Sequence, residues 1–250
     1  MDRRASPNQT ARTTAPDMVV IHYTGMKSAA AAVDWLCNPI SKVSAHYLID
    51  EDGSLVAMVD EDRRAWHAGV SLWDGVSDNN NRSIGIELHN IGHTDVAPEF
   101  AAAQIDALLT LMDGIRSRWT IPLKNVVAHS DIAPLRKIDP GERFPWHRLA
   151  QKGHALVVPP SVAAVTDGPS PLADFKQTLR LCGYGVSEGD GMDDLTHATI
   201  DAFHRRHLPH KVGAPFDAAS LAVATHLARL SAPARAQPQS TPSSTQIDPP

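Results

Sequence analysis

The sequence is poor in the residues that would assign it to several large classes of protein. Its 250 residues include only two cysteines, Cys37 and Cys182, which are too few and too far apart for a disulfide framework or a thiolate metal site. Lysine and arginine number 23 against 28 acidic residues, so we do not expect the concentrated basic face of a nucleic-acid-binding protein. No apolar run reaches the roughly 18 residues of a membrane span, and we expect none.

The beginning of the chain lacks the apolar core of a secretory signal. Residues 1–17 are polar and contain three arginines and two prolines, and we predict that they form a flexible N-terminal arm. If Met1 is the true start, the missing signal predicts a cytoplasmic protein, and a periplasmic location is the alternative.

What the sequence does contain is a mixture of apolar strands and amphipathic helices. Apolar, β-branched or alternating segments predict strands, and segments with apolar residues at helical spacing predict helices. The predicted strands cover residues 18–23, 43–50, 55–59, 83–88 and 126–128, and the predicted helices cover 28–37 and 98–118. We therefore predict that residues 18–153 form an α/β (α+β) domain with a mixed β-sheet flanked by helices.

The second half of the chain has a different texture. Residues 154–171 are rich in proline, serine, glycine and alanine, which is typical of a linker. Three helical patterns follow, over residues 172–181, 195–207 and 218–230, and predict a small three-helix domain spanning 172–230. Residues 231–250 contain five prolines and only two charged residues, and we predict a disordered tail.

Three residues with metal-binding side chains follow or end predicted apolar strands. His22 lies near the end of the first strand, His129 directly follows residues 126–128, and Asp139 comes ten residues later in a loop constrained by Pro140 and Gly141. Two imidazoles and one carboxylate on rigid strand ends can supply three zinc ligands and leave a fourth position for water. This pattern predicts a catalytic Zn²⁺ site.

A zinc hydrolase also needs a base for the water and a positive group for the oxyanion that develops. Glu87 is the candidate base, because a carboxylate inside the apolar strand SIGIEL is costly unless it faces a polar cleft. The alternative is a plain surface residue, since Gly85 and Glu87 share one face of the strand. Lys137, two residues before Asp139, is the candidate cation, and a solvated loop lysine is its alternative.

The motifs of residues 18 to about 150 resemble those of one enzyme family. In chain order they read VVIHYTG, SAHYLID, AWHAGVSLWDG, SIGIELHN and VVAHSDIAPLRKIDPGERFPW. The sequence looks like the zinc-dependent N-acetylmuramoyl-L-alanine amidases of the type 2 family, which also includes a phage lysozyme and the peptidoglycan recognition proteins. It is most similar to the bacterial branches that act on cell-wall fragments or anhydro-muropeptides.

This resemblance implies a function, a set of partners and a role for each site residue. The expected reaction is hydrolysis of the lactyl–L-alanine amide of muropeptides, in particular anhydro-muropeptides during peptidoglycan recycling. The residues and their implied roles are His22, His129 and Asp139 as zinc ligands, Glu87 as proton acceptor, Lys137 as oxyanion stabiliser, and Tyr23, His67 and Asn80 as substrate contacts. One departure from the family is Glu142, because the branch loop often has a proline after DPG.

The C-terminal helical patterns resemble the three-helix peptidoglycan-binding domain that is often fused to these amidases. The similarity rests on LADFKQTLRLCGYGV and DDLTHATIDAFHRRH, and the alternative is a helical cap that binds nothing. The histidines of this region, His204, His207 and His210, are expected to be solvated on a helix face rather than to bind metal.

Other functions stay open at this point. An appended wall-binding module would favour an amidase that remodels intact peptidoglycan. A non-catalytic peptidoglycan-binding or sensing protein could share the fold, although such members typically lose a zinc ligand. An amidase could also be gated by residues 77–95, where residues 78–81 (DNNN) suit a mobile loop, or by the C-terminal module.

Overall fold

The structure, a computed structural model, describes residues 1–94, 98–163 and 171–231. Its strands are β1 (Asp2–Arg3), β2 (Gln9–Ala11), β3 (Met18–Tyr23), β4 (Tyr47–Ile49), β5 (Leu55–Ala57), β6 (Arg63–Ala65), β7 (Ser83–Leu88) and β8 (Val126–Ala128). Its α-helices are α1 (Ala29–Leu36), α2 (Asn79–Arg82), α3 (Ala102–Arg118), α4 (His129–Ile132), α5 (Trp146–Gln151), α6 (Pro160–Ala163), α7 (Leu172–Cys182), α8 (Asp194–His207) and α9 (Ala218–Ser231). In these ranges no helix combines the length and apolarity needed to cross a membrane.

Six strands form one mixed sheet in the order β1-β5-β4-β7-β3-β8. Strands β4, β7, β3 and β8 run parallel to one another, whereas β5 is antiparallel to β4 and parallel to β1. Strands β2 and β6 form a separate antiparallel pair. The predicted α/β fold with a mixed sheet flanked by helices is therefore confirmed.

Alternation along β3 divides its side chains between two hydrophobic clusters. Val19 and Ile21 point into a cluster that includes α3, while Met18 and Val20 point into a cluster on the opposite face. Because side chains alternate along a strand, His22 lies on the same face as Met18 and Val20. We call this face, which also carries Glu87 of β7, the site face of the sheet.

The three C-terminal helices cover part of the site face. Side chains from α7, α8 and α9 share one hydrophobic cluster with Met18, Val20 and Val127 of the sheet. The contributions from these helices include Phe175, Leu179, Ile200, Phe203, Val223 and Leu227. The helices thus lie where the sequence predicts them, and their apolar faces complete the core of the sheet.

The first seventeen residues are not the flexible arm that their composition predicts. Strand β1 pairs with β5, and β2 pairs with β6. Between these strands Ser6 and Asn8 are buried, and the Asn8 amide donates to the carbonyl oxygens of Asn38 and Val43 at 2.8 Å. The prediction is wrong because this segment is ordered by backbone pairing with other strands and by hydrogen bonds to loop carbonyl oxygens. Neither kind of contact requires apolar side chains.

The predicted linker begins with packed residues. His154 and Ala155 are buried, Leu156 and Val158 pack against the cluster shared with the C-terminal helices, and α6 follows. The rest of the predicted linker, residues 164–170, and the predicted disordered residues 232–250 lie outside the described residues.

The histidines of α8 and the following turn do not share one environment. The His204 side chain is fully buried, with Nδ1 2.9 Å from the Lys211 carbonyl oxygen and Nε2 2.9 Å from Ser220 Oγ. Only His210 is exposed as expected. The prediction of a solvated side chain is therefore wrong for His204, because partners on the following turn and on α9 satisfy both of its ring nitrogens.

Candidate metal centre

Sheet register brings two of the three predicted ligands together. Ile21 of β3 pairs with Ala128 of β8, so the residues that follow them, His22 and His129, are neighbours at the carboxyl ends of two parallel strands. The third, Asp139, is held against them through the backbone, since the Ser130 N–H donates to the Asp139 carbonyl oxygen at 3.0 Å. Residues that are far apart in sequence thereby meet at one edge of the sheet.

The three candidate ligand atoms form a compact triangle. His22 Nδ1 lies 2.9 Å from His129 Nδ1 and 3.1 Å from Asp139 Oδ2, and His129 Nδ1 lies 3.0 Å from the same carboxylate oxygen. All three side chains are buried. Ligand atoms at about 2.0–2.1 Å around a tetrahedral metal ion stand about 3.3 Å apart, so the triangle has the size such an ion requires. The donor set therefore fits a metal ion.

The far ring nitrogens of both histidines have partners that orient the rings. His129 Nε2 lies 3.2 Å from the Ala68 carbonyl oxygen and therefore donates to it. His22 Nε2 lies 3.0 Å from Nδ1 of His67, which can accept its proton. This pattern leaves both Nδ1 atoms free to bind a metal. A histidine that binds a metal through one ring nitrogen usually donates the other ring N–H to an acceptor in the same way.

The pKa values of the site favour the protonation states that metal binding needs. Burial, reinforced by His129, lowers the pKa of His22 to about 4, which keeps its ring neutral near pH 7. Burial opposes ionisation of Asp139, but His129 and His22 together hold the pKa of that carboxyl well below its usual range. A neutral imidazole and a carboxylate are the ligand forms that bind cations.

The structure makes His67, a predicted substrate contact, a hydrogen-bond partner of the candidate ligand His22. Its Nε2 donates to Ser83 Oγ at 3.2 Å, and the Ser83 hydroxyl donates onward to the Asn79 carbonyl oxygen. Gly85 gives the ring room, because a Cβ at that position would lie 2.5 Å from His67 Cγ. His67 still lines the cavity described below.

Asn80, also predicted to contact substrate, supports the site from outside that cavity. Its amide oxygen accepts from the backbone N–H groups of His67 and Ala68 at 2.9 and 2.7 Å, which fixes the segment that carries His67. Its neighbourhood is not the expected mobile loop: residues 79–82 form the short helix α2, capped by Asp78, and Asn79 and Asn80 are buried. Residues 95–97 lie outside the described chain.

Glu87 is the register partner of His22 on the neighbouring strand. Its side chain is half-buried, and the buried Oε2 atom has no hydrogen-bond partner in the part of the chain that the structure describes. Burial, together with the nearby Asp139 charge, raises the pKa of Glu87 to about 8, and Lys137 opposes this rise. A carboxylate oxygen that has no partner among the described residues, beside a candidate metal site, is poised to bind water or a proton.

One cavity of about 420 Å³ unites most of the predicted site residues. Those that line it are His22, Tyr23, His67, Glu87, His129, Lys137 and Asp139. The Lys137 ammonium group forms no ion pair with the described residues, so its charge is available to the cavity. Of the predicted site residues, only Asn80 does not line this cavity.

Several cavity residues were missed by reasoning from the sequence. Trp35, Trp66 and Arg136 also line the cavity, and the Arg136 side chain donates to the carbonyl oxygens of Ala68 and Val70. Trp66 and Arg136 are each next to a residue that was singled out, which is the signal that could have identified them. Trp35 lies on α1, where its spacing indicates only a helix face.

The departure from the family pattern at Glu142 has a structural partner. Glu142 Oε2 lies 2.9 Å from His93 Nε2, and His93 Nδ1 lies 3.0 Å from the hydroxyl of Tyr23 at the cavity. A pair of side chains therefore holds the loop at a position where the family often has a proline.

Comparison with known proteins agrees with this geometry. The family model described as N-acetylmuramoyl-L-alanine amidase matches residues 12–142. The chain is 42% identical over 151 residues to the N-acetylmuramoyl-L-alanine amidase AmiD of Escherichia coli, covering 54% of this chain and 52% of AmiD. It is 41% identical over 124 residues to the 1,6-anhydro-N-acetylmuramyl-L-alanine amidase AmpD of Enterobacter cloacae, covering 50% of this chain and 62% of AmpD. The matches thus span between half and two thirds of these relatives.

Solved structures extend the similarity beyond the region of the family model. The complex of Escherichia coli AmiD with anhydro-N-acetylmuramic acid-L-Ala-D-gamma-Glu-L-Lys has a TM-score of 0.79 and 33% identity, covering 88% of this chain and 92% of that structure. AmpDh3 of Pseudomonas aeruginosa, in complex with an anhydromuramic pentapeptide, has a TM-score of 0.76 and 32% identity, covering 84% and 90%. The similarity therefore includes the C-terminal helices as well as the sheet.

Proposed function

The chain belongs to the N-acetylmuramoyl-L-alanine amidase family, and from that membership we propose that it is a zinc-dependent amidase acting on muropeptides. The bond cleaved is the amide between the lactyl group of muramic acid and L-alanine. The preferred substrates are anhydro-muropeptides, which places the reaction in peptidoglycan recycling. The anhydro-muropeptide substrate in the AmiD structure and the anhydromuramic pentapeptide in the AmpDh3 structure support this choice.

The observation that carries the proposal is the grouping of three candidate ligand atoms, the Glu87 carboxylate and the Lys137 ammonium group around one cavity. Among the described residues, Glu87 Oε2 has no hydrogen-bond partner and Lys137 forms no ion pair. His22, His129 and Asp139 would hold the ion, and two histidines with one carboxylate are a donor set typical of catalytic zinc. When bound, zinc supplies Lewis acidity towards water and towards the amide carbonyl.

The residues of the chain account for the movement of protons. Glu87 Oε2 accepts a proton from the water whose oxygen attacks the lactyl carbonyl carbon. The Lys137 ammonium group compensates the negative charge that develops on the carbonyl oxygen. Glu87 then returns the proton to the alanine nitrogen as the C–N bond breaks, which releases a muramic acid carboxylate and a free stem peptide.

In the metal-free protein the pKa of Glu87 is raised to about 8, and the charge of a bound zinc ion would lower it from there, which suits this double role. A general base works best when its pKa lies near the working pH, because it must both accept and release the proton. His67 and Ala68 serve the same chemistry indirectly, since they orient the rings of His22 and His129.

The cavity offers surfaces that match both parts of a muropeptide. Met26, Leu36 and Val43 line it as apolar side chains, together with Trp35, which can pack against a sugar ring. Arg136 and Lys137 line it as cations, which complement the carboxylates of an acidic stem peptide.

The test incubates zinc-loaded protein with purified anhydro-muropeptides and, separately, with intact sacculi, and follows released stem peptides by mass spectrometry. The control is Glu87→Ala, measured at equal zinc content. We expect release from anhydro-muropeptides that disappears in the control. Faster release from sacculi would indicate a role in wall remodelling instead of recycling. No release from either substrate with zinc bound would indicate a non-catalytic binding protein.

A further inference from the structure

The turn that carries the ligand His129 contains a buried carboxylate that the reaction does not use. Asp131 lies two residues after His129 in α4 and is fully buried. Its Oδ2 atom accepts from the backbone N–H of Ala128 at 2.9 Å, which closes the turn between β8 and α4 around the ligand. The next residue after the ligand, Ser130, donates its backbone N–H to Asp139. The conformation of this turn therefore determines the positions of two metal ligands.

The remaining partners of Asp131 come from the C-terminal helical region. Arg206 of α8 donates from Nη1 to Asp131 Oδ2 at 2.6 Å, and the hydroxyl of Tyr184 donates to Oδ1 at 2.9 Å. Arg206 also donates from Nη2 to the carbonyl oxygen of Val126 at 2.8 Å. One guanidinium group thus joins the first residue of β8 to the helix that follows it.

The Arg206 side chain is itself held in a single environment. It is almost fully buried. Its guanidinium carbon lies 4.2 Å from the centre of the ring of Trp146, a residue of α5, in a cation–π contact. A buried charge pair of this kind is strongly disrupted when one partner is removed, because the other charge stays buried without compensation. Loss of Arg206 would therefore disturb Asp131 and the turn that it closes.

We propose that Arg206 and Tyr184 are positioning residues for the metal site, so that the C-terminal helices complete the metal centre in addition to any role in binding cell wall. They act through Asp131 on His129 and, through the Ser130 backbone, on Asp139. The inference rests on the proposed function only in taking His22, His129 and Asp139 as the zinc ligands. Groups that hydrogen-bond a metal ligand directly typically change metal affinity by about 10- to 100-fold when mutated. Arg206 and Tyr184 act one step further out, through Asp131, so we expect their effect towards the lower limit of that range.

The chain offers a matched control for the loss of a buried cation. Lys176 of α7 is also buried, and its ammonium group donates to Ser187 Oγ and the Gly191 carbonyl oxygen at 3.0 Å, both within the C-terminal region. Lys176→Met therefore weakens the same region without touching the turn at Asp131. The comparison separates general destabilisation from an effect on the ligands.

The experiment measures the zinc dissociation constant of the full chain by competition with a chromophoric chelator. Wild type, Arg206→Met, Arg206→Lys, Tyr184→Phe and Lys176→Met are compared at a temperature at which circular dichroism shows each to be folded. We expect Arg206→Met to bind zinc at least about tenfold more weakly. Arg206→Lys should recover part of the loss, since lysine keeps the charge but cannot bridge Asp131 and Val126 with one planar group.

Tyr184→Phe should weaken zinc binding by a few-fold, and Lys176→Met should leave it within about twofold of wild type while lowering the melting temperature. Equal zinc affinity in Arg206→Met and Lys176→Met would overturn the inference while leaving the proposed function intact. If Arg206→Met does not fold, unchanged affinity in both Arg206→Lys and Tyr184→Phe would overturn it in the same way. A wild-type chain that binds no zinc would instead overturn the proposed zinc site itself.

Discussion

Two carboxylates, the buried Glu61 and the half-buried Glu87, have opposite surroundings. The oxygens of Glu61 accept four hydrogen bonds, from the Tyr47 hydroxyl at 2.8 Å, from two nitrogens of Arg118 at 2.7 and 2.9 Å, and from the indole N–H of Trp119 at 2.6 Å. Glu87 lines the cavity, and its buried Oε2 atom has no partner among the described residues. The first carboxylate is fully satisfied, and the second is not.

The pKa values of the two groups reflect this difference. Burial acts to raise the pKa of Glu61, but the hydrogen bonds from Arg118, Trp119 and Tyr47 outweigh it and the pKa is lowered. At Glu87 burial and the Asp139 charge outweigh the opposing effect of Lys137, and the pKa rises to about 8. A satisfied buried carboxylate stabilises a fold, whereas an unsatisfied one costs stability and is kept where chemistry needs it. The comparison thus separates a structural acid from the acid that we propose to be catalytic.

The sharpest test of this contrast is Glu87→Gln. The amide has nearly the shape of the carboxylate but cannot accept the proton from water, so we expect the rate of stem-peptide release to fall by about a thousandfold. The melting temperature should stay the same or rise, because an unfavourable buried acid is removed. Initial rates and thermal unfolding are measured at equal zinc content. A variant that retains a tenth of the wild-type rate would show that Glu87 is not the proton acceptor.

The cations beside the two acids allow a second test. Arg118 is paired with Glu61, whereas Lys137 faces the cavity without an ion pair among the described residues. We expect Lys137→Met to lower kcat by about a hundredfold with little change in KM, because the ammonium group acts on charge that develops in the transition state. Lys137→Arg should restore part of the rate. An effect confined to KM would instead assign Lys137 to substrate binding.

Glu61→Gln should lower stability and leave the hydrolytic rate unchanged, which is the reverse of the result expected for Glu87→Gln. Removing the charge weakens the hydrogen bonds of Arg118 and Trp119, and we expect the free energy of unfolding to fall by about 2 kcal/mol. The loss is smaller than for a fully buried pair, because the Arg118 side chain is 49% exposed and water screens its charge. Denaturant unfolding gives the stability, and the hydrolytic rate of the folded variant should equal that of wild type. A rate that falls in folded protein would contradict a purely structural role for Glu61.

The strands that carry the site could be predicted from sequence because their side chains signal it directly. Apolar residues dominate the three strands over residues 18–23, 83–88 and 126–128. The candidate site residues stand out against them: His22 and Glu87 lie within such strands, and His129 follows one. A buried strand tolerates such residues only where they have a partner or a function. The pattern therefore indicated both the strands and the candidate site.

The N-terminal strands and the Asp131–Arg206 pair could not be predicted, because they depend on contacts between segments that carry no recognisable sequence pattern for them. Residues 1–17 look unstructured because pairing with a strand edge uses backbone groups, which every residue has. Asp131 and Arg206 are 75 positions apart, and each alone is typical of a solvated surface. Their burial follows from how α8 packs on the sheet, which helical periodicity cannot predict.

The two acids should also differ in how they make stability depend on pH in metal-free protein. The Glu87 pKa is raised from 4.5 to about 8 on folding, so between these values the folded state binds the proton more tightly than the unfolded state. The contribution of Glu87 to the stability of wild type, fully present below pH 4.5, is therefore lost as the pH rises towards 8, and Glu87→Gln removes this dependence.

For Glu61 the pKa is lowered, so its contribution is present above pH 4.5 and is lost only in more acidic solution. We expect the stability advantage of Glu87→Gln over wild type, measured by urea unfolding after chelation, to grow by about 3 kcal/mol from pH 5 to pH 8. The deficit of Glu61→Gln should be constant over that range. An advantage of Glu87→Gln that does not grow with pH would mean that the Glu87 carboxyl is solvated, and the contrast between the two acids would then rest on hydrogen bonds alone.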